Sequence, residues 1–465
     1  MTVRFPSWQP AMLLLATGCA GPMVETARLP ALAPPSAWRT DAGPTAPIDI
    51  AWWQGFGDGT LTALVEKALA NNPDIGIAMG RVREAQANEQ LARAQLLPTL
   101  DVSAAGARSR SVNAFGLPVE QNAVQPQIQI AWEADIFGRL ADQRAAARAI
   151  YFASQAARDG VRLSVAGATA NAYITLLGLD ARLEVARATL AARSESLRVA
   201  TSRVERGYSP KLELQQARAE YEATAQIIPQ IELAISRVEN TLSQLTGDPP
   251  ATITRGLSLD KLHKPLIGEG LPSALLRRRP DIAQAEYQLA GADKSLAAAR
   301  KRFLPQVRLS AAAGAAISTL LSDPITIWSA GGSVLAPLFE GGRLTAQAEA
   351  AGAQRDQAAF AYRRTVLTGL REVEDALATA KRVDEQIGQA AAQRDALAEA
   401  LRLASNRYRE GYSPYLEQLD AQRGLLSVQL TLVQLQADAL TARVQLYQAM
   451  GGGWSEESIL QATRD

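Results

Sequence analysis

An internal duplication limits what this chain can fold into more than any other feature. Arg203-Val-Glu-Arg-Gly-Tyr-Ser-Pro210 recurs as Arg407-Tyr-Arg-Glu-Gly-Tyr-Ser-Pro414, 204 residues later. The same offset carries the Phe-Gly-Arg-Leu run ending at Leu140 onto the Glu-Gly-Gly-Arg-Leu run ending at Leu344, with Gly341 and Gly342 making the turn. Near the start of each half, Asn72-Pro-Asp-Ile75 matches Arg279-Pro-Asp-Ile282, and Leu97-Pro98 matches Leu304-Pro305. Landmarks that keep their order at nearly constant spacing mark two copies of one structural unit.

Each copy reads as helix, hairpin, long helix, turn, long helix. The first helices are predicted from about Gly59 to Leu96 and from about Pro272 to Phe303, each closed by a proline just beyond. Alternation follows. Ile128, Ile130 and Trp132 are interleaved with Gln127, Gln129 and Ala131, and Val307, Leu309 and Ala311 with Gln306, Arg308 and Ser310. A period of two with one apolar and one polar face suits a strand with lipid outside and water inside. Hairpins are expected over 98–137 and 305–339, with loops near Ser109 to Val124 and Thr319 to Pro324 facing the exterior. Long helices are expected over 139–206, 211–246, 343–410 and 415–450, the longer pair extending about 100 Å at 1.5 Å per residue. Apolar residues recur every seven positions, as at Leu176, Leu183, Leu190, Leu197 and Val204 or Leu419, Leu426, Val433, Leu440 and Tyr447, the period of coiled-coil packing. Pro229 removes one backbone donor and predicts a local bend. The first repeat thus runs over 59–247, a linker over 248–271, the second repeat over 272–450 and a tail over 451–465.

The N-terminus reads as an export signal. Arg4 supplies a positive charge, Ala11 to Thr17 an apolar run, and Ala16-Thr17-Gly18 precede Cys19, the only cysteine. That is the pattern of a lipoprotein signal over 1–18, leaving Cys19 to carry acyl chains at the head of an extended segment, 19–58. A lone cysteine excludes an intramolecular disulfide. No window reaches the 18 to 20 apolar residues of a membrane helix, so a chain of this kind crosses a membrane only as a closed sheet. Two hairpins give four strands, whose edges stay unpaired unless copies associate; two, three or four copies would each close the sheet.

Other functions find little support. With 48 basic and 47 acidic residues there is no basic block for nucleic acid. His263, the sole histidine, sits among Lys261, Lys264 and Pro265 in the linker, and no cluster offers a metal site. The glycines at 55–59 and 451–453 lack a phosphate-binding lysine. Neither catalysis nor a cofactor is expected. The competing reading is a lipid-anchored periplasmic coiled-coil adaptor or scaffold without a pore, which would share the heptads and Cys19 but has no use for four amphipathic strands.

Several motifs carry a family resemblance over nearly the whole mature length. They are Trp52-Trp53 with Phe56-Gly57-Asp58, then Leu61, Leu64, Val65 and Ala68-Leu69, then Asn72-Pro-Asp-Ile75. Further on come Trp132-Glu133, Asp135-Ile-Phe-Gly-Arg-Leu140, the two Gly-Tyr-Ser-Pro turns, Leu275-Leu-Arg-Arg-Arg-Pro-Asp-Ile282, Pro337-Leu-Phe339 and Gly341-Gly-Arg343. The chain resembles the TolC-like and OprM-like outer membrane factors of tripartite efflux systems, and within them the NodT-type lipoprotein branch; Gly59 stands where the family usually has proline. The resemblance implies a membrane β-barrel joined to a long α-helical barrel, a homotrimer closing twelve strands, and an exit duct opened by a periplasmic adaptor (membrane fusion protein) and an inner-membrane pump, usually of the proton-driven RND type.

The resemblance also places the two turns at the periplasmic tip. Arg203, Gly207, Tyr208, Ser209, Pro210 and Leu212 in one copy, and Arg407, Gly411, Tyr412, Ser413, Pro414 and Leu416 in the other, would meet the adaptor. Glycine as a C-terminal cap and proline in the next first turn also explain these runs as plain helical hairpins. Arg407, Tyr408, Glu417 and Asp420 match the family's gate. Glu417 and Asp420 lie three residues apart on one helical face, so three copies would stack two acidic rings. The plainer reading makes them acids favouring a helix N-terminus.

Overall fold

The computed structural model describes residues 24, 26–27, 35–40, 49–265 and 277–454. Cys19 and the expected signal lie outside the described residues. In chain order the elements are helices α1 (Gly59–Asn71) and α2 (Pro73–Ala94), strands β1 (Thr99–Val112) and β2 (Pro118–Ala134), and helices α3 (Arg139–Glu205) and α4 (Lys211–Leu245). The second copy supplies α5 (Pro280–Lys301), β3 (Gln306–Ser318), β4 (Ile325–Leu335), α6 (Arg343–Arg409) and α7 (Tyr415–Ala449). From α2 and α5 onward the copies match element for element: α3 and α6 are each 67 residues, α4 and α7 each 35, and α1 has no counterpart among the described residues.

The described residues divide into two compact units, one holding 24, 26–27, 81–155 and 284–363, the other 35–40, 49–80, 156–265, 277–283 and 364–454. The first contains one antiparallel sheet in the order β1-β2-β3-β4, so strands of the two copies pair directly across β2 and β3. Register sorts its side chains by chemistry. Leu100, Val102, Ile130, Ile128, Val307, Leu309, Trp328 and Val334 share one face. Asp101, Ser103, Gln129, Gln127, Gln125, Arg308, Ser310 and Ser329 share the other, where Val119, Ile325, Ile327 and Leu335, near strand ends, are the large apolar exceptions. Trp132, on the apolar face, donates its indole N–H to the Leu96 carbonyl at 3.0 Å. Asp135 caps α3 by accepting from the Leu140 and Ala141 amides at 3.0 and 2.7 Å, after Gly138 turns the chain at φ 73°.

The strands run further than the alternation alone indicates. Ser109 to Val112 and Pro118 to Val124, expected as loop, belong to β1 and β2, and only Asn113 to Leu117 make the turn. Above the apolar stretch both faces become polar, which erases the period-two signal while the backbone ladder continues.

In the second unit, Trp52, Phe56, Leu61, Tyr173, Ile174, Leu176, Val444 and Tyr447 form one buried core, with Trp52 stacked on Tyr447 at 5.1 Å. The single helix expected from Gly59 to Leu96 is two: α1 ends at Asn71 and α2 begins at Pro73. Proline disfavours helical backbone at the preceding residue. Asn72 is extended (φ −62°, ψ 128°); its side chain accepts from the Asp74 amide at 2.9 Å and donates to the Leu245 carbonyl at 3.0 Å. In the second copy the described helix starts at Pro280; residues 272–276 of the expected span lie outside the described residues. The helix α4 continues through Pro229.

Asp58 joins three segments. Its carboxylate accepts from the Thr60 and Leu61 amides as the α1 cap, from the Tyr173 hydroxyl at 3.0 Å and from the Leu257 amide at 2.9 Å. Asp58→Ala is expected to cost about 2 kcal/mol, since it strands a buried hydroxyl as well as the cap donors, whereas Asp58→Asn keeps part of the cap. Thermal midpoints of the two variants check this; equal midpoints for Asp58→Ala and the parent would contradict it.

Candidate functional site at the helical-hairpin tips

Both hairpin turns close in the same way. Gly207 and Gly411 adopt φ values of 74° and 81°, which let the Tyr208 and Tyr412 amides donate back to the Arg203 and Arg407 carbonyls, each at 2.8 Å. These are glycine-terminated helix ends with their last carbonyls satisfied. The next helices begin at Lys211 and Tyr415, as expected, and Pro210 and Pro414 are the extended residues that lead into them rather than members of the first turn. Tyr208 and Tyr412 are 80% and 79% exposed, and Leu212 and Leu416 are exposed beside them. The described tips thus present an apolar and phenolic surface to solvent. Ser413 holds a buried hydroxyl without a partner, and Ser209 is half-buried.

Behind that surface the two copies interlock. The Arg203 guanidinium lies 4.5 Å over the Tyr408 ring and donates to the Tyr408 and Arg409 carbonyls, the latter at 3.1 Å. Tyr408 donates its hydroxyl to Glu213 at 3.1 Å and packs against Tyr415 at 5.4 Å between ring centres. Tyr408, Tyr415, Leu419, Ala200 and Ala217 form a small buried core. Burial pushes the Tyr415 phenol up to about 12, and it raises that of Tyr408, with Glu213 adding to the effect. Both phenols therefore stay neutral at any pH near neutrality.

The acids expected at the gate are exposed. Glu417 forms a solvent-facing ion pair with Arg407 at 3.7 Å, and Asp420 lies one turn on, where it adds to the larger effect of Glu220 in favouring the charged form of Arg423. Arg407 and Tyr408, though adjacent in sequence, face different surroundings: the arginine meets Glu417 in solvent, the tyrosine is buried against the first copy.

Sequence reasoning missed an ionic triad one layer further from the tips, in which Arg193 and Glu220 are buried and the Arg423 side chain is 54% exposed. Glu220 on α4 accepts from Arg193 of α3 at 2.8 Å and from Arg423 of α7 at 2.8 and 2.5 Å, while Arg193 also donates to the Glu220 carbonyl and to Thr224 Oγ1. A signal existed. Arg193 lies between Leu190 and Leu197, so its charge stands on an apolar seam, a costly place unless paired; Arg423, between Leu419 and Leu426, reaches out to solvent from the corresponding seam. Glu213 was missed too, one position from the exposed Leu212. Among the described residues no group of His, Cys, Asp or Glu gathers as for a metal ion.

A family model described as "Outer membrane efflux protein" matches residues 64–248 and 271–452, one segment for each copy. The pyoverdine export outer membrane protein OpmQ of Pseudomonas putida is 32% identical over 441 residues, covering 92% of this chain and 93% of the relative. The outer-membrane channel OprN superposes with a TM-score of 0.85 at 28% identity, covering 91% of this chain and 99% of that one. The Campylobacter jejuni CmeC outer membrane channel gives 0.87 at 22% identity, covering 94% and 98%, a likeness of fold. With matched segments over both copies, relatives aligned nearly end to end and the same duplicated architecture, the chain belongs to the outer membrane efflux protein family, the outer membrane factors: trimeric, non-catalytic channels that form the outer-membrane exit duct of tripartite efflux assemblies.

Proposed function

We propose that this exit duct is held closed at its helical-hairpin tips, opens when a periplasmic adaptor engages those tips, and serves an RND-type pump exporting drugs or other small molecules. The observation that carries the reading is the Arg203–Tyr408–Glu213 bridge, which ties the first copy's hairpin to the second at the tip. A bridge of one cation–π contact and a few hydrogen bonds is worth a few kcal/mol at most, an amount that adaptor binding can offset. The exposed Tyr208, Tyr412, Leu212 and Leu416, beside the glycine turns and prolines, are the surface on which an adaptor would dock, with Ser209 and Ser413 inside the turns. Glu417 and Asp420, exposed and three residues apart, would line the mouth as paired rings in the trimer, with Arg407 as counter-charge. The signal over 1–18 is removed on export, and Cys19, then N-terminal, carries acyl chains that anchor the chain's N-terminal segment.

Single-channel conductance in planar bilayers tests the gate. Glu417→Gln with Asp420→Asn is expected to lower cation selectivity several-fold while pore events persist, because neutralising a ring of carboxylates at a constriction removes its field. Unchanged selectivity would return both residues to ordinary helix-start acids. Labelled palmitate, incorporated by the parent and not by Cys19→Ala, tests the anchor; label in both would remove Cys19 from the proposal.

A further inference from the structure

The outward face of the sheet carries a charge distribution that the export function leaves unexplained. Counted along the apolar face, β1 contributes Leu100, Val102, Ala104, Gly106, Arg108, Arg110 and Val112, and β2 contributes Pro118, Glu120, Asn122, Val124, Pro126, Ile128, Ile130, Trp132 and Ala134. On β3 the same face is Val307, Leu309, Ala311, Ala313, Ala315 and Ile317, and on β4 Thr326, Trp328, Ala330, Gly332 and Val334. Arg108, Arg110 and Glu120 are thus the only charges on this face among the described strand residues. All three cluster at the hairpin-turn end, away from the helices.

Their height can be reckoned. From Ala134 to Asn122, the partner of Arg108, β2 advances about 40 Å at about 3.3 Å per residue, and a barrel tilt of about 40° leaves about 30 Å of height. The lipid-facing apolar band of an outer-membrane barrel is about 25 Å tall, so the arginines emerge just past its outer edge, where headgroups lie. Charges placed lower would meet hydrocarbon; placed in the turns they would meet water.

Their geometry fits a phosphate. Arg108 and Arg110 are two positions apart on one strand, and Glu120 opposite pairs with both, at 3.3 and 3.9 Å. One carboxylate cannot saturate two five-donor guanidiniums, and the side chains remain 76% and 69% exposed, leaving a positive excess of one per protomer at this level. The turns add a single acid, Asp323, beyond the strands. As an exposed ion pair the cluster gives the hairpin little stability.

We propose that Arg108 and Arg110 form a docking site for the phosphorylated headgroup of an outer-leaflet lipid, with Glu120 holding the two guanidiniums in a fork and moderating their charge. Each protomer carries one such site, and the acyl chains of the bound lipid lie down the apolar face over Val102, Ile128 and Leu309. The proposal rests on the barrel facing lipid, which conductance tests separately because these residues lie outside the lumen.

The test uses the intact trimer in phosphatidylethanolamine bilayers that contain either bisphosphorylated lipid A or its dephosphorylated form, with lipid retained on the trimer read by native mass spectrometry. The parent is expected to retain the phosphorylated form at least about fivefold more, the scale of one arginine beside an anionic surface. Arg108→Gln with Arg110→Gln should abolish the preference and leave conductance unchanged, and Glu120→Gln should increase it. The same spectrum reports the trimer; should the double variant fail to assemble, Glu120→Gln alone decides. No preference in the parent, an equal preference in the double variant or no gain in Glu120→Gln would overturn the proposal. So would loss of the preference in millimolar inorganic phosphate, which would make the ligand a free anion rather than a lipid.

Discussion

Glu220→Ala is expected to loosen the helical hairpins behind the tips, speeding hydrogen exchange around Arg193, Glu220 and Arg423 by about two orders of magnitude, the effect of about 3 kcal/mol. The reason is the partner left behind. The Arg193 side chain is 5% exposed and that of Glu220 10%. Burial already pulls the Arg193 guanidinium below its ordinary value, with Glu220 opposing that pull. Without the carboxylate, Arg193 keeps hydrogen bonds to the residue 220 carbonyl and Thr224 but loses its counter-ion in an interior that solvates it poorly. Glu220→Gln should lie between, and replacing Arg193 and Glu220 together with methionine should recover much of the loss, because a buried pair exchanged for apolar side chains leaves no orphan. Parent-like exchange in Glu220→Ala would mean that water reaches the triad and that it fastens nothing.

Gly451→Ala is expected to be more damaging than alanine at either tip glycine, with little assembled trimer recovered. Three successive residues, Gly451, Gly452 and Gly453, adopt φ values of 88°, 57° and 77°. A side chain in that region costs about 1–3 kcal/mol by itself. At Gly451 a Cβ would also fall 1.8 Å from the Arg278 carbonyl oxygen, and at Gly453 2.7 Å from the backbone of Asp49 and Ile50, so neighbouring main chain has to move. At Gly452 the nearest atom, 2.3 Å away, is the end of the Leu163 side chain, which can turn aside. Gly207 has the same kind of φ and nothing within 4 Å, so its alanine variant isolates the backbone cost. Trimer yield on size exclusion should fall in the order Gly207, Gly452, Gly451; a Gly451→Ala trimer as abundant as Gly207→Ala would contradict the close packing of this turn.

Particular residues show where the sequence was legible. The duplication, the two hairpins and the Gly-Tyr-Ser-Pro turns could be read because local chemistry and spacing specify them: a glycine with positive φ, a proline that starts a helix, a strand with two unlike faces. The β3–β4 turn was readable for the same reason, since Thr319 to Pro324 offers no alternation. The β1–β2 turn was not, because Arg108, Arg110, Glu120 and Asn122 put polar groups on a face that is apolar lower down. The glycines at 451–453 were weighed only as a phosphate loop, yet their role is set by Arg278 and Asp49, far away in sequence. The Arg193–Glu220–Arg423 triad needs three helices at once. Each residue alone resembles a solvated helix charge, which Arg423 largely remains, and only the place of Arg193 on an apolar seam marks the pair it makes with Glu220 as buried.

The free edges of the sheet have a consequence for mixed populations. Strands β1 and β4 lie at the two ends of the order β1-β2-β3-β4, each with one row of backbone groups for a neighbouring copy to complete. No copy can be sound on its own account, because every barrel is closed by three seams and one faulty seam opens it. If half the copies in a cell carry an edge that cannot pair, roughly one trimer in eight is built wholly from intact chains. A damaged allele of such a gene would therefore act dominantly, poisoning its neighbours' channels instead of merely failing to supply its own.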